Sequence, residues 1–376
     1  MTRASSSTRT ARRVPGWVSV ALVPATNLAL ALLLSGVVVI LVGENPLRAL
    51  RILAAGAFGD AESIGYTLYY ATNFVFTGLA VAVAFHGGLF NIGAEGQAYM
   101  AGLGVGLLCL GAGGWPTVLV IPAAIVMAAA FGAAWAFVPA WLQARRGSHV
   151  VITTIMFNFI AAALMTHLLV NVLMKPGQQS PETREFASST WLPQVHEVLR
   201  GLGWEIGRSP LNLSAVLALA AGVLVWFYLW HTRWGYELRA LGHNETAAVY
   251  AGIPPARTII VAMSISGALA GLMSLNEVMG VHHRLLLNFV GGAGYVGIAV
   301  ALMGRNHPAG IVLAAVLFGA LYQGGSELSF DMPKLTRDMV VVIQGLIILV
   351  CGALEYALRE PIEAWFRRPS RAESHP

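Results

Sequence analysis

Charge is what this sequence has least of. Only 11% of its 376 residues are Asp, Glu, Lys or Arg, under half of the roughly 25% carried by a water-soluble domain. That shortage excludes a soluble enzyme and a charge-rich disordered chain. Lysine is nearly absent: apart from Lys175 and Lys334, all of the 23 cations are arginine. Cysteine is equally scarce. Cys109 and Cys351 lie far apart, each within an apolar run, which excludes a disulfide scaffold and reads as core packing rather than metal binding. No G-x-x-x-x-G-K-[ST] pattern occurs, so the chain has no P-loop with which to cradle nucleotide phosphates. The net charge of +5 does not gather into a basic patch with interleaved aromatics, so nucleic acid is not the expected partner.

What is plentiful points to lipid. Hydrophobic residues make up 57% of the chain and glycine occurs 41 times without a collagen period. Small residues let helices approach closely where lipid supplies no hydrophobic drive for association. The expected fold is an all-α polytopic membrane protein of about ten transmembrane helices, with eight to ten allowed for broken or re-entrant segments. Apolar runs place spans near 17–43, 64–85, 91–112, 116–142, 150–173, 211–231, 257–280, 291–304, 308–324 and 338–357. The eighth is short for a crossing. The first follows Arg3, Arg9, Arg12 and Arg13 and exceeds the roughly 7–15 residues of a signal h-region, so it reads as an uncleaved helix. The chain thus divides into a tail over 1–16, a transmembrane domain over 17–357 with polar loops at 174–210 and 232–256, and a tail over 358–376.

Arginine placement sets the orientation. With both termini in the cytoplasm, fourteen of the 23 cations fall inside, including the Arg145-Arg146 and Arg367-Arg368 pairs, and nine fall outside. Cytoplasmic loops carry the positive excess, which puts loop 174–210 on the outer face and loop 232–256 on the inner one.

Two stretches interrupt the apolar pattern with glycine: 86–93 (HGGLFNIG) and 291–298 (GGAGYVGI). Each precedes a small-residue helix, giving the two halves an inverted-repeat-like correspondence. Paired glycine-interrupted spans point to a substrate path in transporters, because freed backbone groups are tolerated in a membrane only along a cavity or against protein. The other reading is a pair of tight helix–helix turns. Ser264, Gly267 and Gly271, and Gly102 with Gly106, read as packing seams. Tyr66, Tyr69 and Tyr70 read as anchors at a membrane edge.

The first glycine stretch, extended to Gln97 as GGLFNIGAEGQ, resembles the signature of permease subunits of ATP-binding-cassette importers. It is similar to the branched-chain amino acid and simple-sugar permease superfamily, and most of all to its nucleoside-type subgroup. Three further blocks agree in order: 153–160 (TTIMFNFI), 294–310 (GYVGIAVALMGRNHPAG) and 343–349 (IQGLIIL). The likeness covers roughly residues 44–355. Phe157, Phe159 and Tyr295 stand where that subgroup has leucine, tyrosine and phenylalanine. The resemblance implies a permease subunit of a bacterial plasma (inner) membrane importer, a transport subunit and not an enzyme, with no cofactor of its own. It implies separate ATPase subunits, a second permease (a paralogue, giving a heterodimer), and an extracytoplasmic solute-binding lipoprotein. Alternating access moves the cargo.

Buried polar residues in a membrane chain are functional candidates by default. On a helix beginning at Asn91, Asn91 and Glu95 share a face, with Phe90, Ala94 and Gln97 on the neighbouring one. An aromatic ring beside amide and carboxyl groups suits a flat heterocycle bearing hydroxyls. With Asn158, Glu277 and Tyr295, the substrate-binding set is Phe90, Asn91, Glu95, Gln97, Asn158, Glu277 and Tyr295. For Glu95 a second reading is a structural tie to backbone donors at the broken helix. Asn158, and Asn276 with Glu277, either line the path or bond a neighbouring helix. His282 and His283 point to different helix faces, so no metal site is expected there.

In the inner loop, Asn244 is placed to cap a short helix from Glu245 to Ala251, with Gly252 as its stop and Pro254-Pro255 enforcing the end. Such a helix either rests on headgroups or, as the resemblance implies, docks on the ATPase. The coupling set is Glu237, Arg239, Gly242, Asn244, Glu245, Ala248 and Gly252. The outer loop, with Trp191, Pro193 and Trp204, reads as a docking surface for the binding protein or as a lid. Simple sugars or branched-chain amino acids are the alternative cargoes. The rival classes are an ion-coupled secondary transporter using Glu95 and Glu277, and an intramembrane enzyme, for which His86, His149 and His231 near the inner face lack a catalytic spacing.

Overall fold

A computed structural model describes residues 22–350, apart from 176, 202, 205, 206, 337 and 348, together with residue 361. The tail expected over 1–16, that over 358–376 save residue 361, Cys351 and the end of the last span lie outside the described residues. Beyond two isolated β-bridges, 182 with 286 and 194 with 212, the regular structure among the described residues is helical.

The helices are α1 (Val23–Leu41), α2 (Pro46–Phe58), α3 (Ala61–His86), α4 (Ala94–Gly111), α5 (Thr117–Arg146), α6 (Val150–Leu168), α7 (Val195–Gly201), α8 (Ser214–His231), α9 (Arg233–His243), α10 (Glu245–Tyr250), α11 (Pro255–Ser274), α12 (Ala293–Met303), α13 (Pro308–Asp331) and α14 (Asp338–Ile347). π-helical turns, Leu169–Leu173 and Leu275–Met279, extend α6 and α11. Among the described residues six helices are long and apolar enough to cross a membrane, or seven if Ala25–Leu41 and Pro46–Phe58 count as one. The chain is a multi-pass membrane protein, but this count falls short of the expected ten. Two of the expected spans, 17–43 and 338–357, run beyond the described residues; for two others the shortfall has a physical source. α12 has 11 residues and spans about 16 Å, roughly half of a bilayer core. α4 opens on the polar Glu95 and Gln97 and is diluted by glycine.

The chain divides into two compact units. One comprises residues 1–46 and 341–376; in it α1 closes at Gly43, whose φ is 80° and whose N–H donates to the Ile40 carbonyl at 2.9 Å. The other, residues 47–340, holds the remaining features described below. Its axis is α3, started by Asp60, whose carboxylate accepts the Ser63 N–H at 2.7 Å. α3 is buried along most of its length among α8, α11, α12 and α13. α5 and α11 meet backbone to backbone. A methyl added at Gly132 would overlap the Gly267 carbonyl, and one at Gly267 would overlap that of Gly132. Gly271 stands likewise against Ala128. The Gly267–Gly271 stripe is therefore a packing seam.

Candidate functional site at the two glycine breaks

α3 stops at His86, Gly88 takes a left-handed φ of 71°, and the chain runs irregularly until α4 begins at Ala94. Asn91 thus precedes the helix rather than opening it. Its Oδ1 accepts the Gly93 N–H at 2.9 Å, the asparagine turn that competes with helix initiation. The expected shared face of Asn91 and Glu95 is therefore absent. Asn91 is fully buried and exchanges hydrogen bonds with Gln97, Nδ2 to Oε1 at 3.0 Å and Nε2 to Oδ1 at 3.2 Å. It also donates to the Ser266 hydroxyl at 2.8 Å, which donates in turn to the Ala80 carbonyl at 2.6 Å. Asn158 of α6 replaces the bonds that the missing helical turn would have made. Its Oδ1 accepts the Gly96 N–H at 2.9 Å and its Nδ2 donates to the Ile92 carbonyl at 2.9 Å. The same Nδ2 lies 3.3 Å from the Tyr295 hydroxyl.

The second break faces the first. Gly291 and Gly292, with φ of 59° and 83°, lead into α12. The Glu95 carboxylate accepts N–H bonds from Gly292 and Gly294, one on each oxygen and both at 2.9 Å. A carboxylate at a helix N-terminus meets unpaired donors and the positive end of the helix dipole. The approach is so close that a methyl at Gly294 would overlap the Glu95 backbone. Tyr99 follows Glu95 by one turn of α4, Tyr295 follows Gly294, and Tyr322 interacts with the Glu95 charge. Tyr295 remains 47% exposed. Tyr322 packs edge-on against Phe74 at 5.0 Å, and Phe90 packs against Phe85 at 6.2 Å. Tyr99 stacks on Phe289 at 5.2 Å and exchanges hydrogen bonds with Asn288.

Glu277 sits in the π-turn before the second break and is 5% exposed. Its Oε1 accepts the Tyr69 hydroxyl and the Asn73 amide, each at 2.6 Å, and its Oε2 is 3.2 Å from His282 Nε2. Tyr69 is therefore an internal donor rather than a membrane-edge anchor. Neighbouring Asn276 donates to Asn73 Oδ1 at 2.8 Å and accepts from Asn212 and Ser214, both at 2.8 Å. The network ties α3, α8 and α11 together. It shows no signature in the sequence beyond the polarity of its members.

The loop at the other end carries the expected cap. Asn244 Oδ1 accepts the Ala247 N–H at 2.9 Å, and Gly252 takes a φ of 77° as α10 ends. α9 is an addition to the expectation; Thr232 caps it through the Gly235 N–H at 3.1 Å. α9 packs directly on the first break. Leu238 is buried against Gly87, and a methyl at Gly242 would overlap the His86 carbonyl. Of the coupling candidates, Ala248 is buried, Glu237 pairs with Arg233 at 2.8 Å, Arg239 borders a cavity and Glu245 is exposed. Tyr250 is 88% exposed, and Trp234 and Tyr236 of α9 are exposed as well.

The loop between α6 and α8 is strapped to the second break. Thr183 and Phe186 donate N–H bonds to the Leu285 and His283 carbonyls at 3.1 and 2.8 Å, and Leu192 to that of Met279 at 3.1 Å. Trp191 stacks on His283 at 3.9 Å. Beside it a cavity of about 540 Å³ is edged by Glu62, Tyr66, Glu197, Arg200 and Arg208.

Residues 63–351 match the family described as branched-chain amino acid transport system / permease component. The guanosine ABC transporter permease protein NupP of Bacillus subtilis (strain 168) is 36% identical over 346 residues, 90% of this chain and 94% of its own. The nucleoside ABC transporter permease protein NupB of Lactococcus lactis subsp. cremoris is 32% identical over 86% of this chain and 89% of its own. The glucose ABC transporter permease protein TsgB13 of Haloferax volcanii is 29% identical over 95% and 93% respectively.

Proposed function

This chain belongs to the family of branched-chain amino acid transport system permease components, and on that footing we propose that it is the membrane-spanning permease subunit of an ATP-driven importer of nucleosides. The observation that carries the mechanism is the seating of α9 on the first break, where Gly242 abuts the His86 carbonyl. A push on α9 and α10 is delivered to the strand of residues that holds Phe90 and Asn91. From there it passes through Glu95 to α12. A rigid helix seated on a broken span transmits a rigid-body displacement, as alternating access requires.

Phe90, Glu95 and Tyr295, the partly exposed members of the candidate set, form our substrate surface. Rings supply stacking area for a base, and the carboxylate's remaining acceptor positions suit ribose hydroxyls. Asn91, Gln97 and Asn158 hold the first break in place behind it, and Glu277 holds the second. The fold is read as about ten transmembrane helices, with α4 and α12 as the broken segments related by the inverted repeat.

The orientation follows from arginine: α9 and α10 face the cytoplasm of a bacterial inner membrane, with both termini on that side. Tyr250, Trp234 and Tyr236 dock on the ATPase subunit alongside the capped turn from Asn244 to Gly252. The strapped loop faces outward to a solute-binding lipoprotein. A paralogous permease completes a heterodimer, a reading supported by a further relative, NupQ, that shares the guanosine name and the Bacillus strain of NupP. The glucose transporter name of TsgB13 supports simple sugars as the second reading.

The test is uptake by the assembled complex in proteoliposomes, with guanosine, glucose and leucine as separate labelled cargoes. ATP-dependent accumulation of guanosine alone is expected. Accumulation of glucose or leucine without guanosine overturns the cargo assignment, and uptake that persists without ATP overturns the class.

A further inference from the structure

Trp230 stands between two openings at the α9 end of the bundle. Its ring meets His86 on one side, with centroids 5.4 Å apart, and His307 on the other at 5.1 Å. Beyond His86 lies a cavity of about 420 Å³. Arg239 of α9, and Arg305 and Asn306 of the α12–α13 turn, wall it together with the two histidines His86 and His243, and no carboxylate is among the described residues that line it. Arg239 Nε and Asn306 Oδ1 are buried there with no hydrogen-bond partner among the described residues. Arg305 and Asn306 both hold a left-handed φ of 55°, a conformation that side chains other than glycine adopt at a cost and that clusters at ligand sites.

The second opening is of opposite character. Between α8 and α13 runs a groove of about 560 Å³, lined by Leu219, Val223, Trp226, Val312 and Leu313. Asn306 borders the cavity and the next residue, His307, borders the groove, so the two share a wall. A soluble anion accounts for the cavity but leaves the groove without purpose. A neutral lipid fills the groove and leaves the Arg239 donor unpaired, at the cost of a buried unsatisfied group.

We propose that this end of the bundle binds one anionic phospholipid. Its phosphodiester lies against Arg239 and Arg305, a headgroup hydroxyl donates to Asn306 Oδ1, and an acyl chain lies in the groove between α8 and α13. Basic pockets between membrane helices recognise anionic headgroups in this way. Trp226 and Trp230 sit where head meets tail, the level at which indole rings are favoured. Because Arg239 belongs to α9, the lipid contacts the helix that is seated on the first break.

The test is native mass spectrometry of the intact transporter, delipidated and then titrated with dioleoyl phosphatidylglycerol or dioleoyl phosphatidylethanolamine. Phosphatidylglycerol is expected to be retained at least about fivefold more strongly. Arg305→Asn keeps a residue tolerated in the left-handed turn and is expected to weaken its retention by about the same factor. Leu313→Trp obstructs the groove from a position that is 74% exposed, so the core is spared, and is expected to weaken retention about tenfold. Equal retention of the two lipids, or phosphatidylglycerol retention unaltered in either variant, overturns the proposal. So does thermal stabilisation by glycerol phosphate alone that equals that of the lipid and survives Leu313→Trp, because the pocket then serves a soluble anion.

Discussion

The carboxylate of Glu95 holds the backbone N–H of Gly294 at 2.9 Å across the meeting point of the two broken segments. The partner oxygen holds Gly292, so one acidic side chain caps a helix that begins almost 200 residues later in the chain. α4 and α12 consequently have a fixed mutual register at the proposed substrate surface.

Glu95→Gln keeps one acceptor oxygen and leaves one of these donors unpaired. The expected loss is about 1–3 kcal/mol of stability, seen as a lowered melting temperature of the purified complex, with guanosine uptake reduced at least about tenfold. A variant that melts and transports like the wild type would show that the Glu95 cap does not hold the two broken segments together.

Tyr69 and Glu277 are bonded at 2.6 Å inside a network that we place behind the substrate path. Tyr69→Phe and Glu277→Gln are each expected to destabilise. Their effects should be non-additive by about 0.5–3 kcal/mol in a double-mutant cycle. Guanosine affinity, measured by scintillation proximity on the complex, should stay within about twofold in Tyr69→Phe. A loss of affinity without a loss of stability would move Glu277 to the substrate surface.

Gly242→Ala drives a methyl into the His86 carbonyl and so lifts α9 from the first break. ATP hydrolysis should continue while guanosine uptake falls, raising the ATP spent per nucleoside at least about tenfold. An unchanged ratio would mean that α9 transmits no displacement through this contact.

The strap over the second break should loosen in acid. Burial against Trp191 holds the His283 imidazole below its ordinary value of 6.5, despite the opposing hydrogen bond to the Met279 carbonyl and the neighbouring Glu185. Because the folded value is depressed, the stabilisation is full above pH 6.5 and declines as the pH falls toward the folded value. The protection factor of the Phe186 amide against hydrogen exchange, with its bond to the His283 carbonyl at 2.8 Å, should fall as the pH is lowered from about 7.5 to about 5. His283→Gln should flatten that dependence.

Local punctuation was legible in the sequence; long-range pairing was not. Asn244 and Gly252 were readable because a cap and a left-handed stop are made by residues within one turn of the helix they bound. α10 ends at Tyr250, one residue before the expected limit. The two glycine breaks were readable because each interrupts an apolar run. That they abut through Glu95 depends on tertiary packing, which no window of sequence contains. For Asn91, i and i+4 spacing does not reveal that its own side chain caps Gly93 and delays the start. For Tyr69, α3 is buried nearly all round, so no apolar stripe marks which of its faces points inward. In α9 polar and apolar residues alternate too closely for a membrane span, and only its Thr232 cap hints at a separate start.

The seam between α5 and α11 bears on which parts of the molecule can move. Where side chains interdigitate, two helices can exchange one set of rotamers for another and settle into a second packing. Gly132 and Gly267 offer no rotamers to exchange, since each backbone already rests on the other. In the proposed mechanism this seam is the stator against which α9, the first break and α12 are displaced.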